Sequence, residues 1–119
     1  MDKKNVQRLR PCNNVEISAE VRLRTDCGSG YSFTSSHATN HFAIASFVVT
    51  TLVAGVWWAR TLWIVWAASI ALGQVYVGVH YPLDILVGSL LGLTLGWLAN
   101  LFWSYLVKKW LKKQSVASA

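Results

Sequence analysis

The sequence GVHYPLD at residues 78–84 separates two long apolar stretches and carries a histidine and a carboxylate four residues apart. Positions four apart lie on one face of a helix, so Asp84 can reach back toward His80. Pro82 suits the first turn of a helix, where its missing N–H is not needed. We therefore predict that a helix begins at Tyr81 or Pro82 and that His80 lies immediately before its N-terminus.

The pairing of His80 with Asp84 has two interpretations. A carboxylate that is hydrogen-bonded to one imidazole nitrogen fixes the tautomer and leaves the second nitrogen to act as a base or nucleophile. An acidic residue in the first turn of a helix is also favoured by the helix dipole alone. The spacing therefore fits a catalytic pair, and it equally fits a histidine at a membrane border with a capping aspartate.

The composition indicates a membrane protein with one domain. Of the 119 residues, 54% are hydrophobic and seven are tryptophan, and the apolar residues are concentrated in long stretches. The net charge of +6 comes mainly from basic residues at the two ends of the chain, a pattern typical of membrane orientation. We therefore expect membrane lipids as partners and no nucleic acid. The first forty residues are polar, so we expect no signal peptide at the start of this sequence.

Three apolar runs each have about the 20 residues that cross a bilayer core. We predict an all-α membrane bundle of three transmembrane helices, near residues 37–59, 61–79 and 82–107, with the first two joined in a tight hairpin at Arg60. The expected domains are a polar extramembrane region at 1–36, the helical domain at 37–107 and a basic cytoplasmic tail at 108–119.

Three glycines in the third helix, Gly88, Gly92 and Gly96, are spaced by four. Small residues at this spacing allow close approach of a second helix in lipid, so we expect a helix–helix partner there. The lysines after residue 107 place that end in the cytoplasm. The segment from His80 to Asp84 and residues 1–40 would then face outward, which in a bacterium means the periplasmic side of the inner membrane.

Basic and hydroxyl side chains gather on the same membrane face as His80. Arg10 can bind a phosphate group through two hydrogen bonds, and Lys3 adds a second positive charge. Ser35 and Ser36 open a helix, whose free N–H groups and dipole favour an anion. His37, in the first turn of that helix, supplies a second acid or base.

Two cysteines, Cys12 and Cys27, also lie in the region predicted to be outside the cytoplasm, where disulfides persist. We predict that they pair and connect the Arg10 segment to the loop before Ser35. A closed loop of 15 residues is worth about 3 kcal/mol in the chain-entropy model. Two free thiols in a reducing compartment are the alternative.

These residues resemble three motifs of the type 2 phosphatidic acid phosphatase superfamily, membrane phosphatases related to the vanadium haloperoxidases. Lys3, followed after six residues by Arg10-Pro11, is similar to the first motif. The sequence TSSH at residues 34–37 is similar to the second, Pro-Ser-Gly-His. His80 with Asp84 is similar to the end of the third, and the run VYVGVHYPLD at 75–84 looks like members of this family.

The resemblance implies a metal-independent phosphatase without cofactors. His80 would form a phosphohistidine, Asp84 would orient it, and His37 would protonate the leaving oxygen. Phosphate would be held by a set of basic and polar residues: Lys3, Arg10, Ser35, Ser36 and Gln74. The substrate would be a phosphorylated lipid or isoprenoid, with phosphatidate, polyprenyl diphosphate and lipid A phosphates all open. An oxidant role, as in the haloperoxidases, is a minor alternative.

The sequence departs from the family pattern mildly at Thr34 and Ser36, which replace proline and glycine in the second motif, and more seriously in two other respects. Gly73-Gln74 stands where the family has Ser-Arg, so the third motif lacks a positive charge. Family members also have about six membrane helices, so we expect this chain to be the C-terminal half of an enzyme. A truncated or degenerate protein with the same fold and no turnover is therefore a second hypothesis. The pair His37 and His41 has helical zinc spacing, but no third ligand stands out.

Overall fold

The computed structural model describes residues 7–117 and shows three α-helices and one short 3-10 helix, with no strand in that range. The α-helices are α1 (Ser36–Thr51), α2 (Trp57–Tyr76) and α3 (Pro82–Ala117), and the 3-10 helix is Pro11–Asn13. The all-α fold class is therefore confirmed. The predicted phosphate ligand Lys3 lies outside the described residues.

The connection between α1 and α2 is not at Arg60, where the sequence analysis placed it. The chain turns at residues 52–56, and Arg60 lies in the first turn of α2. Arginine has a high helix propensity, so a single charge interrupts an apolar run without interrupting the helix. At the end of α1 the N–H groups of Leu52 and Val53 both donate to Val48 O, and the chain leaves the helix in the turn that follows.

The predicted end of α3 at Val107 is also wrong, because the helix continues to Ala117. Lysine, leucine and glutamine all favour the helix. The lysine cluster thus ends the apolar part of α3 and leaves the helix itself intact. The 36 residues of α3 correspond to about 54 Å at 1.5 Å per residue.

Only α3 is long and apolar enough to cross a membrane among the helices of residues 7–117. Helix α1 has 16 residues, fewer than the roughly 20 that a bilayer core requires. Helix α2 has 20 residues, but Arg60, Gln74 and its tryptophans lower its mean hydropathy. The three-span bundle is therefore not confirmed, and one candidate span is found.

The glycine face of α3 packs against α1 of the same chain. Gly88, Gly92 and Gly96 are buried, and a Cβ atom added at Gly88 would lie 2.8 Å from Ser35 O. Added Cβ atoms at the other two glycines would overlap the backbone of α1 still more closely. This face is therefore occupied within the chain, and no partner outside the chain is assigned to it.

The polar segment before α1 folds over the connection between α2 and α3. Ser32 N donates to Arg8 O at 2.7 Å, and Arg24 N donates to Val77 O at 3.3 Å. A disulfide joins Cys12 to Cys27, with an S–S distance of 1.97 Å. These contacts bring residues from the beginning of the chain to the N-terminus of α3, where His80 and Asp84 lie.

Candidate active site

His80 lies in the short connection between α2 and α3 and is held there by its backbone. Gly78 has a positive φ of 83°, which glycine adopts without steric cost and which turns the chain out of α2. The N–H groups of Val79 and His80 then both donate to Gln74 O at 3.2 Å. His80 is only 3% exposed.

Asp84 caps the beginning of α3 and is fully buried. Tyr81 N donates to Asp84 Oδ2 at 3.0 Å, which is the backbone half of a capping box, and Pro82 occupies the first helical position. The predicted start of this helix is therefore confirmed. Its local sequence explains why: proline fixes the first turn and the carboxylate satisfies a free N–H group.

Two residues that the sequence analysis did not assign to the site contact Asp84 directly. Arg8 Nη1 lies 3.0 Å from Asp84 Oδ1, and the guanidinium also lies over the Tyr81 ring, 3.9 Å from its centroid. The hydroxyl of Ser32, which is fully buried, donates to Asp84 Oδ2. The carboxylate therefore accepts hydrogen bonds from three separate parts of the sequence.

The contact between Asp84 and His80 differs from the direct one that the spacing predicts. Asp84 Oδ2 is 3.7 Å from His80 Nδ1, beyond ordinary hydrogen-bond distance. Ser32 Oγ lies 3.2 Å from the same nitrogen. The hydrogen-bonded connection between the carboxylate and the imidazole thus passes through Ser32.

The N-terminus of α1 is fastened to the beginning of α3. Ser35 N donates to Asp84 O at 3.2 Å, and the Ser35 hydroxyl accepts from Ala38 N at 3.4 Å as the N-cap. The backbone N–H of Ser35 thus joins α1 to α3, and its hydroxyl caps α1. Helix geometry leaves the amides of Ser36 and His37 without an intrahelical acceptor.

His37 is exposed in the first turn of α1 and lies beside His41. His41 Nδ1 donates to His37 O at 2.7 Å, and the two ring centroids are 6.3 Å apart with nearly parallel planes. His41 also contacts Trp66 of α2, with centroids 5.1 Å apart. No group of three or more potential metal ligands occurs among residues 7–117.

Arg10 precedes the 3-10 helix and lies close to the loop that follows Cys27. A Cβ atom added at Gly28 would be 3.6 Å from Arg10 Cζ, so the guanidinium passes over this glycine. The Nε atom of Arg10 is buried and has no hydrogen-bond partner within the described part of the chain. A buried N–H of an arginine without an acceptor is costly, and an anion would satisfy it.

A cavity of about 360 Å³ opens beside His80, within the size range of small-molecule sites. It lies between the N-terminal segment and the connection from α2 to α3, and none of the residues that form its walls is acidic. Those walls consist of Pro11, Ile17, Val21, Arg22, Arg24, Val75, Tyr76, Gly78, His80, Tyr81 and Pro82. Arg24 lies over the Tyr76 ring at 4.4 Å. The cavity is thus both positively charged and partly apolar.

Helices α1 and α3 thus pack together, with a buried histidine and a buried carboxylate at one end. The profile of the PAP2 superfamily matches residues 2–108, and the chain belongs to this superfamily.

Several curated proteins are similar to the chain. Over 95 residues it is 33% identical to a lipid A 4'-phosphatase from Bacteroides thetaiotaomicron, and the alignment covers 78% of this chain and 41% of that protein. Over 84 residues it is 36% identical to an undecaprenyl-diphosphatase from Sulfolobus acidocaldarius, covering 71% and 38%. Over 94 residues it is 35% identical to a decaprenylphosphoryl-5-phosphoribose phosphatase from Mycobacterium tuberculosis, covering 79% and 47%.

The chain spans less than half the length of these three relatives. All three are named as phosphatases of lipid or isoprenoid phosphates. No solved structure matches the chain significantly.

Proposed function

We propose that this chain carries the catalytic residues of a metal-independent phosphatase that hydrolyses a lipid or isoprenoid phosphate through a phosphohistidine on His80. The observation that carries the proposal is the hydrogen-bonded network at the beginning of α3, in which the partly exposed Arg8 joins the buried residues Ser32, His80 and Asp84. Burying a carboxylate and an imidazole together is costly unless each is paired, and this arrangement pairs both groups, while the histidine lines a cavity.

The phosphate would lie between His80, the unsatisfied Nε of Arg10 and the first amides of α1, with Lys3 and Gln74 as further candidates. Arginine and a helix N-terminus both favour an oxyanion. Because Ser35 N and its hydroxyl are already engaged, we assign the amide contacts to Ser36 and His37.

The reaction would proceed in two steps. His80 attacks phosphorus, a P–N bond forms, and the P–O bond to the leaving group breaks while His37 donates a proton to the departing oxygen. Water then attacks the phosphohistidine with His37 as the base, the P–N bond breaks, and its electron pair returns to His80. Inorganic phosphate is the second product.

The lipid character of the substrate rests on the names of the relatives and on the apolar helix α3. We propose that α3 crosses the membrane, with α1 and α2 completing the bundle. The lysines after residue 107 would lie in the cytoplasm and the site would face outward, at the bacterial inner membrane. Arg22 and Arg24, which line the cavity beside His80, would add positive charge near the phosphorylated head group.

Phosphate release from phosphatidate, polyprenyl diphosphate and a lipid A phosphate tests the proposal with purified protein in detergent. His80→Ala should abolish turnover, and His37→Ala should lower it by about 10²–10⁴. His41→Ala, one turn further along α1, is the matched control and should retain activity. Turnover that survives His80→Ala undiminished would contradict the mechanism.

A non-enzymatic protein with the same fold is a second candidate, and Gln74 is the observation that favours it. Gln74 carries no charge where the family motif has arginine, so phosphate affinity would be weak. If this is the only defect, Gln74→Arg should raise kcat/KM, while Gln114→Arg on the exposed end of α3 should not. A fall in activity in Gln74→Arg would indicate a repacked site in which the new charge is buried at a cost.

A further inference from the structure

We propose that Ser32 is a positioning residue. Its hydroxyl connects the Asp84 carboxylate to the His80 ring through two hydrogen bonds and holds the neutral ring with its proton on Nδ1. The catalytic meaning of this arrangement rests on the proposed phosphatase function. The tautomer itself is a property of the folded chain and is measured without turnover.

The position of Ser32 is fixed from two sides. Its side chain is fully buried, and its backbone N–H donates to Arg8 O at 2.7 Å. Its Oγ atom donates to Asp84 Oδ2 and lies 3.2 Å from His80 Nδ1. One hydroxyl therefore contacts both members of the pair that the sequence spacing predicts.

The carboxylate is not free to replace Ser32 by turning toward the ring. Asp84 Oδ1 is paired with Arg8 at 3.0 Å, and Oδ2 accepts from Tyr81 N at 3.0 Å as well as from Ser32. Rotation of the carboxylate toward His80 would lengthen at least one of these bonds. The 3.7 Å between Oδ2 and Nδ1 is therefore maintained by three donors.

Counting the protons then determines the tautomer. A hydroxyl carries one hydrogen, and an ionised carboxylate only accepts. Ser32 therefore gives its hydrogen to Asp84 and can only accept at His80, so Nδ1 must bear the proton that fills this bond. In the neutral ring the lone pair lies on Nε2, which is the nitrogen that would form the P–N bond.

The proton stays on Nδ1 of His80 throughout the proposed reaction. When Nε2 bonds to phosphorus, the ring becomes a cation and Nδ1–H continues to donate to Ser32. Asp84 stabilises this charge through the hydroxyl. When water cleaves the P–N bond, the electron pair returns to Nε2 and the ring is again neutral, with Nδ1–H unchanged.

Nitrogen-15 NMR of the histidine rings tests the inference in the detergent-solubilised protein, at a pH where the rings are neutral. The His80 signals are assigned by their loss in His80→Gln. We expect the wild-type ring to carry its proton on Nδ1, with Nε2 as the nitrogen that bears the lone pair. Ser32→Ala should shift the population toward the Nε2–H tautomer, because the acceptor at Nδ1 is gone.

Ser46→Ala is the matched control. Ser46 is also a buried serine, 5% exposed, and donates to Leu93 O at 2.9 Å, but it lies at the contact of α1 with α3. Its loss should leave the His80 tautomer unchanged. Ser32→Thr keeps a hydroxyl and should restore the Nδ1–H form, which separates the hydrogen bond from general damage to the fold.

Two results would overturn the inference: a wild-type His80 with its proton on Nε2, or a folded Ser32→Ala protein that retains the Nδ1–H form. If Ser32→Ala does not fold, the wild-type tautomer still decides the question. Where the protein turns over, Ser32→Ala should lower kcat by about 10²-fold with little change in KM, the cost of a misplaced reacting group. An intact tautomer without turnover would count against the phosphatase proposal alone.

Discussion

The carboxylate of Asp84 connects three segments that are distant in sequence. Arg8 and Ser32 reach it from the N-terminal region, and Tyr81 reaches it from the residue before α3. Because Asp84 is fully buried, its charge depends on these donors for the solvation that water would otherwise supply. Asp84 is therefore a structural residue as well as the proposed partner of His80.

Asp84→Asn should destabilise the protein by about 3 kcal/mol, the lower end of the cost of breaking a buried ion pair. The lower end applies because the Arg8 side chain is 34% exposed. Urea denaturation followed by circular dichroism in detergent measures the change. Asp26→Asn, an acid on the exposed part of the N-terminal segment, is the control. Equal stability of the two variants would show that the Asp84 network contributes little.

Arg22 and Arg24 line the cavity beside His80, so each should bind the charged head of the substrate. Removing either side chain should raise KM by about tenfold or more, the loss of one charge-assisted hydrogen bond, with a smaller effect on kcat. Steady-state kinetics checks this, with Arg60→Ala as a control that removes the same charge from the other end of α2. An unchanged KM in Arg22→Ala and Arg24→Ala would assign the cavity another role.

The spacing of four between His80 and Asp84 was enough to predict which residues face each other at this site. Ser32 and Arg8 could not be found in that way, because they lie 52 and 76 residues from Asp84 and approach it only in the folded chain. The available signal for Arg8 was its spacing of two residues from Arg10 in the sequence. It marks one side of an extended segment, but it does not identify the residue that each arginine contacts.

Among the helices, the close contact of α1 with α3 depends on glycines of α3, which have no side chain to hold the two backbones apart. At Gly92 an added Cβ atom would overlap Thr39 O, whereas at Gly73 of α2 it would meet nothing within 4 Å. Gly92→Ala should therefore destabilise the fold by about 1–3 kcal/mol through overpacking. Gly73→Ala should stabilise it by about 0.5–1 kcal/mol through helix propensity.

Thermal unfolding of the two glycine variants in the same detergent distinguishes these effects. The opposite signs make Gly73→Ala an internal control for changes in helix propensity. A Gly92→Ala protein as stable as the wild type would mean that α1 and α3 are not in close contact. Helix ends were less predictable than this contact, because Arg60 and the lysines after Val107 mark the limits of apolar runs and are themselves good helix formers.

For the whole molecule, the Cys12–Cys27 disulfide connects the Arg10 segment to the loop that leads to Ser32. Replacing both cysteines by serine should cost about 3 kcal/mol in the chain-entropy model and should weaken phosphate binding, because Arg10 loses its support. Free-thiol titration under denaturing, non-reducing conditions checks the bond in the wild type. Two reactive thiols per chain would show that it does not form.

The orientation in the membrane is a separate question for the whole chain. If α1 and α2 form a hairpin that crosses the bilayer, single cysteines placed near Arg60 and near Ser29, in a background without Cys12 and Cys27, should label from opposite sides. An impermeant maleimide applied to intact and to opened vesicles measures this. Labelling of both positions from one side would leave α3 as the one crossing helix among residues 7–117.

The proposed mechanism requires that a covalent phosphate forms on His80. Acid-labile, alkali-stable phosphate should accumulate when the protein is quenched during turnover of a ³²P-labelled phosphate ester, and mass spectrometry should locate it on His80. His41→Ala should retain the label and His80→Ala should lose it. Phosphate on another residue, or turnover that leaves no trapped phosphohistidine and survives His80→Ala, would contradict the assignment of His80 as the nucleophile.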